Sequence, residues 1–238
     1  MIKDAPRRII LGAFFFVYGG VMCMDSRTKK ITTIGMLCAM AMVMNLLLHF
    51  PIIPSVSFLN YDPKDIVIVI ASFIYGPFSA FVMSAICAVL DVMLRGGTIL
   101  DVLMNMIATC MFACVAGAIY KKEHTKKGAL IGLGTGVILT TISMLLWNYI
   151  ITPIYFGISR EAVAAMLIPG ILPFNLIKYG INAGACLFLY KPVIGALRSS
   201  HLVMTEEKPH EKSNEMVVLG AFIVISLFML ILGYQGII

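Results

Sequence analysis

Apolar runs of about twenty residues recur along this chain, at 30–49, 98–120, 128–150, 174–197 and 216–236. A run of that length is what an α-helix needs to cross a hydrocarbon core of about 30 Å. In such a solvent every backbone amide must be satisfied within its own segment, so helices are the structure these runs dictate. A further apolar stretch, 65–94, is interrupted by Gly76-Pro77. As one helix it would reach about 45 Å, and proline disfavours helix at the residue before it. Two helices, 65–75 and 78–94, are expected instead. The fold class read from this pattern is an all-α membrane protein with six core helices and one more at the C-terminal end. Composition agrees: 60% of the 238 residues are hydrophobic and 13% charged, too few charges to cover a water-soluble domain of this length.

The net charge of +6 is not a nucleic-acid footprint, because the basic residues sit at helix ends. One set of ends carries Arg27, Lys29, Lys30, Lys121, Lys122, Lys126, Lys127, Lys191 and Arg198, and the opposite set only Lys64, Arg95 and Arg160. Nine against three places the first set, and both ends of the six-helix core, on the cytoplasmic side of a plasma membrane. Four regions follow. Residues 1–24 read as an N-terminal extension, with Met24 as the expected start. Residues 25–198 form the core, 199–215 a polar linker, and 216–238 an extra membrane helix. The six cysteines lie in apolar stretches and read as buried thiols without disulfides.

Polar side chains within membrane helices are costly and tend to mark function. In this orientation Asn45, Asp62, Asp65, Asp91, Asn105, Asn148, Asn175 and Lys178 all fall towards the outer side, and of the amides and charges only Asn182 lies deeper. That depth predicts a cavity open to the outside. Asn175, Lys178 and Asn182 share a helix face by their i, i+3, i+7 spacing. An inward lysine there needs a carboxylate such as Asp65 or Asp91, or a ligand acceptor; a lysine snorkelling to the interface is the competing reading. For Asn148 and Asn105 the competing reading is an interhelical hydrogen bond. Phe58, Tyr61, Trp147, Tyr149, Tyr155, Phe156, Phe174 and Tyr179 gather at the same level, which suits an interfacial belt as well as the walls around a flat aromatic ligand. No phosphate-binding loop, zinc-binding helix or nucleophile elbow is present in the sequence. The glycines of Gly132-Leu-Gly-Thr-Gly136 sit mid-helix, where they suit close packing.

Several stretches resemble the riboflavin-specific S components of energy-coupling factor (ECF) transporters. They are Phe58-Leu-Asn-Tyr-Asp-Pro-Lys-Asp-Ile66, Phe73-Ile-Tyr-Gly-Pro77, Leu103-Met-Asn-Met-Ile-Ala108, Tyr120-Lys-Lys-Glu-His-Thr-Lys-Lys-Gly128, Trp147-Asn-Tyr-Ile-Ile-Thr-Pro-Ile-Tyr155 and Leu172-Pro-Phe-Asn-Leu-Ile-Lys178. The resemblance spans about residues 25–198. It implies a six-helix fold that binds one riboflavin near the outer surface as a transported ligand, with no cofactor and no catalysis of its own. It further implies that Asn148, Asn175 and Lys178 hydrogen-bond the flavin ring and that the loop Phe58, Leu59, Asn60, Tyr61, Asp62 caps it. Asn105 is included as a pocket residue on its depth. Implied partners are a membrane coupling subunit and two cytoplasmic ATPases, docked through small residues on the first helix, here Gly35 and Ala39. The same scaffold holding another vitamin or a flavin nucleotide is the main alternative, and a membrane enzyme a weaker one.

Overall fold

The computed structural model describes residues 26–199 and 215–234. The expected extension 1–24 and nearly all of the expected linker lie outside the described residues, as do Cys23, His201 and His210.

The first long helix, α1 (Ser26–Leu47), leads into loop 1. This loop holds strand β1 (Phe50–Pro51), a 3-10 turn (Pro54–Val56) and strand β2 (Asn60–Tyr61). The two strands are antiparallel, Phe50 opposite Tyr61 and Pro51 opposite Asn60. Helices α2 (Lys64–Tyr75) and α3 (Pro77–Arg95) follow, and they part where the sequence predicts. Gly76 takes φ 89°, a conformation open to glycine, and Pro77 begins α3, where a missing N–H costs nothing.

Among the described residues, five helical stretches are long and apolar enough to cross a membrane: Ser26–Leu47, Pro77–Arg95, Ile99–Glu123, Lys126–Phe156 and Arg160–Tyr190. Helix α2 is different. Its 12 residues extend about 18 Å, short of a bilayer core, and Lys64 through Phe73 are all buried. It packs against α1, α3, the next helix α4 (Ile99–Glu123) and the later α7 (Leu172–Ser199). The short helix is thus the centre of the bundle, and the long ones form its wall.

Helix α4 starts on a reciprocal cap, in which the Asp101 carboxylate accepts from the Thr98 amide at 2.7 Å. It ends at His124, whose φ of 35° turns the chain into α5 (Lys126–Phe156). Here the mid-helix glycines act as expected. A Cβ on Gly132 would sit 2.8 Å from the Ala116 carbonyl oxygen, and one on Gly136 3.0 Å from that of Phe112. α4 and α5 therefore touch backbone to backbone.

Two boundaries differ from the sequence reading. Helix α5 continues through Pro153 to Phe156, beyond the expected end at 150. After it, α6 (Arg160–Met166) and a π-helical turn (Leu167–Ile171) run directly into α7. Pro169-Gly170 reads as a breaker, but the wider π turn accommodates it. Gly170 is buried beside loop 1, where a Cβ would meet the Val56 side chain at 2.6 Å. The last helix, α8 (Glu215–Tyr234), packs along α7.

Candidate functional site

The chain enters α2 through Asp62-Pro63-Lys64-Asp65, three charges in four residues, and buries all three. Lys64 is 0% exposed, Asp65 1%, Asp62 6%, and Lys178 of α7 only 9%. Buried charges persist when paired. Here Asp62 pairs with two ammoniums: it accepts from Lys64 Nζ at Oδ2, and Lys178 Nζ lies 2.5 Å from Oδ1 as an ion pair. Burial pushes the Asp62 carboxyl up, but Lys178 and Lys64 together outweigh it and hold the group down at about 2. Asp65 accepts from Thr109 Oγ1 of α4 at 2.7 Å, while its buried Oδ2 has no hydrogen-bond partner. Asp62 is the carboxylate that both ammoniums share.

Loop 1 is tied to α7 by the same group. Tyr61 Oη donates to Asn182 Oδ1 at 2.9 Å, and the Asn182 amide lies 3.5 Å from the Asp62 carbonyl oxygen. The Lys178 ammonium also stands over two rings, 5.8 Å from the centre of Phe174 and 5.4 Å from that of Tyr179. Lys178 thus points into the bundle rather than snorkelling outwards. Its carboxylate is Asp62, not Asp65 or Asp91.

Asn148 and Asn175 are each 2% exposed, and each donates to its own helix. Asn148 Nδ2 meets the Met144 carbonyl oxygen at 2.8 Å, and Asn175 Nδ2 that of Ile171 at 2.8 Å. Thr152 Oγ1 donates to Asn148 Oδ1 at 3.1 Å. These contacts bridge no helices, so the competing interhelical reading for Asn148 is not what the structure uses. An i−4 carbonyl already has its own helical donor, so such a side-chain contact is easily exchanged for another acceptor.

A second polar cluster joins α1, α3 and α4. Asn45 Nδ2 donates to Asp91 Oδ1 at 2.8 Å, and Asn105 Nδ2 to Asp91 Oδ2 at 3.3 Å. Arg95 pairs with Asp91 at 3.1 Å and also donates to the Asn45 carbonyl oxygen. Asn105 therefore belongs with Asp91 and not with Asp62.

Of the loop 1 residues, Phe58 is exposed and stacks edge-on to Phe156 at 5.2 Å. Leu59 packs on a buried cluster containing Tyr61 and Phe174, and Asn60 is half-buried in β2. Gly35 and Ala39 are exposed on α1, and a Cβ on Gly35 would meet nothing within 4 Å. The five described cysteines are free thiols. Two site residues escaped the sequence reading, Lys64 and Thr109. Lys64 was counted among the outer charges. The signal for Lys64 was present: a run of three charges opening an apolar helix cannot be solvated once that helix is buried; Thr109 carried no such signal.

The family described as ECF transporter, substrate-specific component, matches residues 29–190. The chain is 31% identical over 189 residues to the riboflavin transporter FmnP of Bacillus subtilis (strain 168), covering 74% of this chain and 99% of that one. It is 29% identical over 178 residues to the riboflavin transporter RibU of Staphylococcus aureus (strain TCH60), covering 72% and 94%. A solved structure described as "Structure and mechanism of the S component of a bacterial ECF transporter" superposes with a TM-score of 0.64 at 28% identity, over 72% of this chain and 99% of that chain.

Proposed function

The chain belongs to the substrate-specific components of ECF transporters, and from that premise we propose that it captures riboflavin at the outer membrane face for uptake. The observation that carries this reading is the Lys178–Asp62 pair. It joins the helix bearing Asn175 to the loop that closes over the site, so one contact links ligand recognition to lid position.

In this reading Lys178 and the amides of Asn148 and Asn175 pair with the polar edge of the isoalloxazine ring. The exchange is cheap for the protein. Asn148 and Asn175 give up contacts to carbonyls that keep their helical donors. Lys178 turns to the ligand while Lys64 stays on Asp62, so no carboxylate is stranded without a partner. Phe58, Leu59, Asn60, Tyr61 and Asp62 form the cap, and Asn105 holds α4 in register through Asp91. Riboflavin is preferred over a flavin nucleotide in this reading on the similarity to the riboflavin transporters FmnP and RibU.

The protein performs no chemistry. Six core helices with cytoplasmic ends would dock on a membrane coupling subunit through the exposed Gly35 and Ala39 of α1, where small residues allow close approach. Two ATPases attached to that subunit would drive release. Purification from riboflavin-supplemented cells tests the substrate: one flavin per chain, with its absorbance and fluorescence, is expected. A colourless protein that exchanges a different vitamin would transfer the scaffold to that ligand.

A further inference from the structure

Helix α8 lies beyond the matched family region, which ends at residue 190. Yet α8 is seated closely on the helix that carries the site. A Cβ on Gly220 would lie 2.5 Å from the Gly184 carbonyl oxygen, and one on Gly184 2.9 Å from Ile223. A Cβ on Gly180 would lie 2.8 Å from Leu227. Gly180 and Gly184 are one helical turn apart, the spacing that lets two membrane helices meet backbone to backbone. At about 100° per residue this glycine face is roughly opposite the face of Asn175, Lys178 and Asn182. So α8 backs α7 from behind the site.

Its far end reaches further. Ile231 is 2% exposed, and it belongs to one buried apolar cluster with Ile52, Ile53, Val56 and Tyr61 of loop 1 and Phe174, Ile177 and Ile181 of α7. Leu227 packs on the same cluster. The cluster thus runs without a break from the root of loop 1 across α7 to α8, on the same side of α7 that the Tyr61–Asn182 hydrogen bond ties to loop 1.

We infer that α8 is a brace for the lid, with Ile231 and Leu227 acting as positioning residues that hold loop 1 against α7 and slow the escape of bound ligand. Neither residue need touch the ligand. Their effect passes through Ile52, Ile53, Val56 and Tyr61. Opening the lid must separate loop 1 from this cluster, so loosening the brace lowers the barrier to release. The inference rests on the riboflavin reading given above.

The test uses full-length protein in detergent and stopped-flow flavin fluorescence. Release is followed from preloaded protein, association in a separate mixing experiment. Ile231→Ala is expected to speed riboflavin dissociation at least about fivefold while association changes by less than about twofold, the usual signature of a contact present only in the closed complex. Gly220→Leu, which forces α8 off α7, is expected to do the same. Phe228→Ala, on the exposed face of α8, leaves both rates unchanged. Dissociation from Ile231→Ala and Gly220→Leu at the wild-type rate overturns the brace, as does a loss confined to thermal stability. Failure of the wild-type protein to take up riboflavin is a separate outcome. It removes the substrate reading and with it this inference, whereas a bound but unbraced flavin removes the inference alone.

Discussion

Asp62 and Asp91 each gather cations and amides at the same end of the bundle, but they are built for different ends. Asp91 sits between α1, α3 and α4 with its Arg95 one helical turn away. Asn45 and Asn105 fill its two oxygens. Every partner comes from a helix of the bundle wall. Asp62 sits instead at the root of a loop, and its two ammoniums come from α2 and α7. The first cluster is a staple between helices. The second ties loop 1 to two helices, and one ammonium stays on the carboxylate when the other is withdrawn. The chemistry of the groups is the same in both; what separates them is whether a partner can leave without stranding a charge.

Substitutions at each carboxylate should break this comparison in different ways. Asp62→Ala leaves Lys64 and Lys178 buried together without a counter-charge and is expected to cost about 3–5 kcal/mol of stability, the penalty of breaking a buried pair. Thermal unfolding in detergent measures it as the largest drop in Tm in the set. Next come Lys178→Ala and Asn175→Ala, which should weaken riboflavin binding about 10- to 100-fold each, corresponding to about 1–3 kcal/mol for a lost buried partner. Asp62 keeps Lys64 in the lysine variant, so that protein should remain folded, and equilibrium fluorescence quenching reads the loss directly. Asp91→Ala inverts the pattern. It should lower Tm modestly, since Arg95 is partly exposed, while riboflavin affinity stays within about threefold.

Acidity supplies the smallest expected effect. The folded Asp62 carboxyl is held at about 2, below its ordinary value. A carboxyl depressed in this way contributes its stability fully above the ordinary carboxylate range, and loses it only as pH falls from about 4 towards the folded value. Binding and Tm should therefore contain no Asp62 step between pH 5 and 8. A loss of affinity centred near pH 5 would mean that Asp62 is not paired as described.

Much of the architecture could be read from the chain because apolar runs of spanning length leave few choices. The division at Gly76-Pro77 was legible from helix length and from the proline itself. The glycines at 132 and 136 announced a close contact and make one. Other features were hidden for identifiable reasons. Pro169-Gly170 reads as a helix breaker, and nothing local signals that a π turn will carry the backbone past it. Lys64 precedes an apolar run and so looks like an interfacial charge; its burial follows from α2 being too short to span and therefore central, a tertiary fact. The burial of Asn148, Asn175 and Lys178 was readable, but the direction of each side chain was not. A one-turn contact to a helix's own carbonyl depends on rotamer, which residue spacing does not encode. For the same reason Asn105 joins Asp91 instead of Asp62.

The central claim is that Lys178 and the buried amides grip one neutral, planar guest beneath loop 1. Isothermal titration of detergent-purified protein with riboflavin tests it most directly. Saturable binding of one riboflavin per chain, with Kd below the micromolar range and much weakened in Lys178→Ala, is the predicted result. No saturable binding below the micromolar range, or equal affinity in the lysine variant, would contradict it.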